Sequence, residues 1–222
     1  MVREYAVTLP FFSVGDAVAA ADRIKTHLAA DRLLAYPTET VYGLGSAPTE
    51  RALDRLAQLK GRPPGKPFLL LVSGIPMLEA WGLSLGPAAR TLAHEFWPGP
   101  LTLVLRGGEG RLPDRLRGRE GGIAVRWTSH AAVAALVDRL GHPLTSTSAN
   151  RPGEAAAPGP ERIETVFADA ITAGELLVLD GGVLGNVPPS TLVDCTGPVP
   201  LMVREGAIPK AELRRRAGSM AP

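Results

Sequence analysis

Short continuous apolar runs, each closed by a proline, a glycine or a group of hydroxyl side chains, constrain this chain more than any other feature of its sequence. Leu33 to Tyr36 stops at Pro37, Leu101 to Arg106 runs into Gly107, and Phe68 to Ser73, Ile123 to Arg126 and Leu176 to Leu179 repeat the theme. Runs of this kind suit strands buried on both faces, which need helices to cover them. Helical periodicity supplies that cover. Ser13-x-x-Asp16 reads as a capping box ahead of an amphipathic helix over Val14 to Ala29. Further helices are expected at Glu50 to Lys60, Pro87 to Phe96, Ser129 to Leu140 with Ser129 as cap, Glu161 to Phe167 and Pro209 to Ala217. Short strands are expected at Pro143 to Ser146, Ser190 to Asp194 and Leu201 to Arg204, with loops over Thr38 to Thr49, Gly107 to Gly122 and Asn150 to Pro160. Because several strands follow Leu176 without helices between them, the fold class is α/β or α+β with a mixed sheet and helices on its faces.

Composition narrows the chemistry. The chain has 222 residues, 45% of them hydrophobic and 21% charged, enough for one sizeable core. A net charge of +2 and a pI of about 8.9 suit an anionic ligand such as a nucleotide, or an arginine-rich surface. One cysteine, Cys195, allows no internal disulfide. The N-terminus lacks an apolar signal-type region and no apolar run nears 18 residues, so a cytoplasmic, non-membrane protein is expected.

Familiar site motifs fail. Gly61 to Lys66 has the wrong spacing for a phosphate-binding P-loop, and its two prolines remove N–H donors. Gly43-Leu44-Gly45 lacks the third glycine of a dinucleotide fingerprint. His27, His94, His130 and His142 show no metal-ligand spacing, so no protein-held metal is expected. What remains is a set of polar groups at the ends of apolar runs: Pro37-Thr38-Glu39-Thr40, Thr145 to Asn150, Pro189-Ser190-Thr191, Arg204-Glu205-Gly206 and Lys60-x-Arg62. Strand ends are where sheet proteins bind ligands. Each group taken alone suits turns and helix caps. Together they supply uncharged donors plus cations, the chemistry that holds a triphosphate and a small polar substrate. With no evident nucleophile, catalysis by positioning and charge stabilisation is expected.

The same residues carry a family resemblance. LLAYPTETVYGLGSAPT (Leu33 to Thr49), LKGRPPGKPFLLLVS (Leu59 to Ser73), FWPGPLTLVL, IAVRW, LTSTSANRPGE, PPSTLVD and VREGAI follow in the order of the threonylcarbamoyl-AMP synthase (YrdC-like) family, from about Val14 to Pro209. The resemblance implies a twisted α/β domain with a deep basic cavity, spanning residues 1–210. Residues 211–222 are then the end of a C-terminal helix and a disordered tail, and the chain looks like the short form without an extra C-terminal domain. It implies synthesis of threonylcarbamoyl-AMP and pyrophosphate from L-threonine, bicarbonate and ATP, with Mg²⁺ carried by ATP. Downstream proteins would transfer the group to tRNA. Lys60 and Arg62 match catalytic residues at the phosphates. Ser148, Asn150 and Arg204 match further ATP contacts, and Thr38, Arg126, Ser146 and Ser190 match the threonine site. Glu39 is the nearest candidate for a general base, and is equally suited to capping; Tyr42 suits the cavity wall or the core. Lys66, Ala156 and Gly122 depart from the family pattern. Two other readings compete. A double-stranded RNA or tRNA-binding module would grip phosphate without turnover. A hydrogenase-maturation domain of the same fold would carry zinc-finger and acylphosphatase regions, for which this chain has no room.

Overall fold

The computed structural model describes residues 8–63, 65–118 and 120–217. In chain order its elements are β1 (Thr8–Pro10), α1 (Val14–Ala29), β2 (Leu33–Tyr36), β3 (Gly43–Gly45), α2 (Glu50–Lys60), β4 (Leu69–Leu71), α3 (Ile75–Ala80), β5 (Leu83–Ser84) and α4 (Pro87–Phe96). There follow β6 (Leu101–Gly107), a 3-10 turn at Asp114–Leu116, β7 (Ile123–Arg126), α5 (Ala131–Leu140), β8 (Leu144–Ser148), α6 (Pro160–Val166) and α7 (Ala168–Thr172). The chain closes with β9 (Leu176–Asp180), β10 (Thr191–Asp194), β11 (Leu201–Arg204) and α8 (Lys210–Ala217).

The strands form one mixed sheet in the order β1-β9-β2-β3-β8-β4-β7-β6-β10-β11, with β5 paired to β6. Strands β1 and β2 flank β9 in parallel, and β4/β7 and β6/β10 are also parallel. The pairs β2/β3, β3/β8, β4/β8, β6/β7 and β10/β11 are antiparallel. The mixed sheet expected from the unbroken run of late strands is therefore present.

Pleat alternation sorts the apolar residues into two cores. Leu33, Ala35, Leu70, Val72, Leu103, Leu105, Ile123 and Val125 point to one face, where Leu53 and Leu56 of α2 and Leu92 and Phe96 of α4 pack. Leu34, Tyr36, Leu71, Leu144, Leu177 and Leu179 point to the other, beneath Ile24 and Leu28 of α1 and Leu136 and Val137 of α5. The capping box of α1 forms as read from Ser13 and Asp16, and Gly61 ends α2 in the left-handed conformation. At the C-terminus Leu213 of α8 is fully buried, and Arg216 lies 4.5 Å over the Phe96 ring and donates to the Glu95 carbonyl. The tail expected to be disordered lies, from residue 218, outside the described residues.

Elements β1, α3, β5 and α7 were not expected and several ends shift by one or two residues; three of the differences have a clear tertiary reason. The expected Thr38–Thr49 loop contains β3, because Gly43 and Gly45 let β8 approach so closely that a Cβ at position 45 would lie 2.1 Å from the Thr145 carbonyl oxygen. The same pairing carries β8 on to Ser148, two residues past the expected Ser146. Helix α5 starts at Ala131 with His130 as cap, not at Ser129. The Ser129 N–H is taken by the Glu39 carboxylate instead.

Candidate active site

Helices α1 and α5 cover only part of the second sheet face. Over the Leu69 end of β4, the Ser146–Ser148 end of β8, and β7, β6 and β10 that face is open, and there it floors a recess of about 390 Å³. Alternation assigns its residues: Leu101, Leu103 and Leu105 enter the core while Thr102 and Val104 line the recess, and Ile123 and Val125 are core while Ala124 and Arg126 line it. Ser146 and Ser148 of β8 complete the floor. The ligand-facing groups are thus set within strands as well as at strand ends.

Four cationic side chains line the recess, Arg62, Lys66, Arg126 and Arg204, and no carboxylate does among the described residues. Arg62 stacks 4.5 Å over the Phe68 ring and donates from Nε to the Lys66 carbonyl, from Nη1 to Thr147 Oγ1 and from Nη2 to the Pro67 carbonyl. The turn after α2 is therefore wrapped around its guanidinium. Arg204 donates from Nη2 to the Ser190 carbonyl at 2.8 Å. Burial and then the neighbouring Arg126 charge lower its pKa, and burial lowers that of Arg62. Positive charge held in a walled recess without a carboxylate favours an anionic ligand.

Arg126 is 4% exposed. Its Nη2 meets Glu39 Oε1 at 2.7 Å, and both terminal nitrogens donate to Thr40 Oγ1 at 3.2 Å. Among the described residues its Nε is buried without a hydrogen-bond partner. Glu39 also accepts from the Thr128 hydroxyl and from the Ser129 N–H. Burial raises the Glu39 pKa, but the attraction and hydrogen bond of Arg126 and the Thr128 bond outweigh it, so the carboxyl titrates below its ordinary value. A carboxylate so paired is a weak base, and the cap of α5 is His130, so Glu39 holds the chain just ahead of that helix. Thr38 Oγ1 donates to the Val41 carbonyl and accepts from the N–H groups of Thr40 and Val41, which shapes the loop that carries Glu39 and Thr40. Ser190 Oγ lies 2.8 Å from Thr102 Oγ1.

Of the nine residues singled out in the sequence, Thr38, Arg62, Arg126, Ser146, Ser148, Ser190 and Arg204 come together around this recess. Lys60 and Asn150 are not part of its lining; Lys60 Nζ is turned to oxygens of Ser148 and Asn150. Thr40 and Pro189 come from polar groups already marked in the sequence and Lys66 is one of the family departures, whereas Thr102 was missed. Thr102 carried a usable signal, as the polar residue at an alternate position of LTLVL. Tyr42 is fully buried, bridges to Gly181 and Gly182 through its hydroxyl, and has its pKa pushed up to about 12, first by burial. It belongs to the core.

A family model described as Sua5/YciO/YrdC, telomere recombination, matches residues 26–206, most of the chain. The chain belongs to this family. A threonylcarbamoyl-AMP synthase of Chromohalobacter salexigens is 41% identical over 178 residues, covering 78% of this chain and 93% of that protein. One from Pyrococcus abyssi is 35% identical over 190 residues, and there the chain spans only 54% of the relative's length. The solved structure of P. abyssi Sua5 complexed with L-threonine superposes with a TM-score of 0.83 at 31% identity, covering 96% of this chain and 61% of that one. E. coli YciO gives 0.75 at 26% identity, covering 90% and 94%.

Within this Sua5/YciO/YrdC member the three departures find a place. A Cβ on Gly122 would lie 2.5 Å from both Thr196 Cγ2 and Val104 Cγ1, so neighbouring methyl groups fill the space a side chain would need. Lys66 adds a cation to the recess. Ala156 lines a second, mostly apolar recess of about 520 Å³ between residues 155–158 and 184–189, which shares Thr40, Val41 and Pro189 with the first.

Proposed function

We propose that this chain is an L-threonylcarbamoyladenylate synthase, a nucleotidyltransferase that makes threonylcarbamoyl-AMP and pyrophosphate from L-threonine, bicarbonate or CO₂, and ATP. The observation that carries the reading is the convergence of Arg62, Lys66, Arg204 and Ser148 with Thr38, Arg126, Ser146 and Ser190 on one recess free of carboxylates among the described residues. The first group suits phosphates and the second a small zwitterion with a hydroxyl. The threonine amine, in its neutral form, adds to CO₂ and gives up one proton to water, leaving a carbamate. A carbamate oxygen then attacks the α-phosphorus, the bond to the bridging oxygen breaks, and pyrophosphate leaves. Arg62, Lys66 and Arg204 offset the charge that develops on the phosphates, and the recess holds the reactants in line. Mg²⁺ enters with ATP as part of the substrate; no group of three or more potential ligands that could hold a metal occurs among the described residues. The product would pass to downstream proteins that modify tRNA in the cytoplasm. No helix among the described residues is long and apolar enough to cross a membrane.

Purified protein incubated with ATP, bicarbonate and L-threonine is expected to release pyrophosphate only when threonine is present. Threonine-independent release, or none, sinks the reading. Salt-sensitive tRNA binding without turnover would favour the RNA-binding module instead. In the same assay Arg62→Ala is expected to lower kcat/KM by roughly ten- to hundred-fold, about 1.5–3 kcal/mol for a lost charged contact. Unchanged kcat/KM would remove Arg62 from the phosphate site.

A further inference from the structure

Lys60, the last residue of α2, is 5% exposed, and no ion pair to it occurs among the described residues. Its Nζ donates to the Ser148 carbonyl at 2.6 Å, the Asn150 carbonyl at 2.7 Å, Asn150 Oδ1, and Ser148 Oγ at 3.3 Å. An ammonium has three N–H donors, and four oxygens of one three-residue bend surround this one. The bend is tied elsewhere too. Arg151 Nη1 donates to the Leu59 carbonyl at 2.7 Å, Ser148 Oγ donates to Asn150 Oδ1, and Asn150 Nδ2 donates to the Glu154 carbonyl. Two successive residues at the end of α2 therefore grip both sides of the segment that leaves β8. That segment presents Ser148 to the cationic recess and continues as Ala155 to Pro158, one wall of the apolar recess. Neither Lys60 nor Asn150 lines either recess.

We propose that Lys60 is a positioning residue: its ammonium pins the Ser148–Asn150 bend and so sets one wall of both recesses, without touching substrate. The structural half stands apart from the synthase reading, and only its kinetic consequence rests on that reading. The charged groups around the ammonium are Arg62, just past α2, and Arg151 and Glu154 on the segment itself. Arg151 lies over the Phe167 ring and Glu154 pairs with Arg162. Burial first, and then the Arg62 charge, push the Lys60 pKa down to about 8. The pin is thus strongest below that pH and weaker above it, because a neutral amine keeps only two N–H donors and no charge for the four oxygens.

The test is amide hydrogen exchange over residues 148–158 of the full chain without nucleotide. Lys60→Met is expected to speed exchange there by roughly ten- to hundred-fold, the effect of losing hydrogen bonds to a charged group. Segments β6 and α5 should stay protected. In the wild type, after correction for intrinsic exchange, the same segment should lose protection as pH rises through about 8, and this measurement stands even if the variant does not fold. In pyrophosphate release the variant should raise KM for ATP more than it lowers kcat. Unchanged exchange in the nucleotide-free variant together with lost ATP affinity would make Lys60 a substrate contact and overturn the proposal. So would a wild-type segment whose protection ignores pH. If the wild type releases no threonine-dependent pyrophosphate, the synthase reading fails, while the exchange data still decide the role of Lys60.

Discussion

Glu39→Ala is expected to lower the unfolding free energy by about 3–5 kcal/mol, the range for removing one partner of a buried ion pair. Urea denaturation would measure it. The reason lies in Arg126, whose side chain is 5% exposed and whose Nε already lacks a partner among the described residues. Taking away Glu39 would leave that guanidinium with Thr40 Oγ1 as its remaining side-chain partner, and would also free the Thr128 hydroxyl and the Ser129 N–H ahead of α5. The pair should be coupled, so the Glu39→Ala, Arg126→Ala double variant is expected to lose clearly less than the sum of the single losses. Additive losses would mean that the two charges do not stabilise each other. A pH dependence follows with a definite sign. The Glu39 pKa is lower in the folded state than unfolded, so the native state binds fewer protons in that range. Its contribution is complete above the unfolded value and disappears as pH falls through the folded one. The stability gap between wild type and Glu39→Ala should therefore close in acid. A gap that widens in acid would contradict the assignment.

Gly206→Ala is expected to cost about 3 kcal/mol, at the upper end for overpacking a tight site, and to abolish threonine-dependent turnover. A Cβ there would lie 2.1 Å from the Pro189 carbonyl oxygen and 2.7 Å from the Ser190 carbonyl carbon. Both are backbone atoms and cannot swing aside. The turn at Gly206 is also sewn to β10: Thr191 Oγ1 accepts from the N–H groups of Gly206 and Ile208, and the Ala207 N–H donates to the Pro189 carbonyl. Movement of this turn would displace Ser190 and Arg204 together, one from each side of the recess chemistry. Gly185→Ala is the control. Among the described residues nothing lies within 4 Å of its Cβ position, and a change within about 0.5 kcal/mol is expected. Equal thermal shifts for the two variants would show that close approach at Gly206 is not what fixes the turn.

The chain itself determined the parts that depend on near neighbours. The Ser13–Asp16 box, the glycine stop at Gly61 and the apolar runs at Leu33–Tyr36 and Ile123–Arg126 work through bonds and periodicities a few residues long, so they could be read in order along the sequence. The mixed sheet followed from their succession, and the polar residues breaking those runs marked most of what meets in the recess. Tertiary structure decided the rest. That Gly43–Gly45 is a strand paired on both sides depends, beyond its nearby partner β2, on β8 passing within reach of two glycines, about a hundred residues away in the chain. Whether Thr102 and Ala124 face a helix or an open space depends on how far α1 and α5 extend over the sheet. The direction of the Lys60 ammonium was set by where the Ser148–Asn150 oxygens come to rest. Local sequence fixes which groups a residue carries and the face it turns toward, while the partner waiting on that face is chosen by packing between segments far apart in the chain.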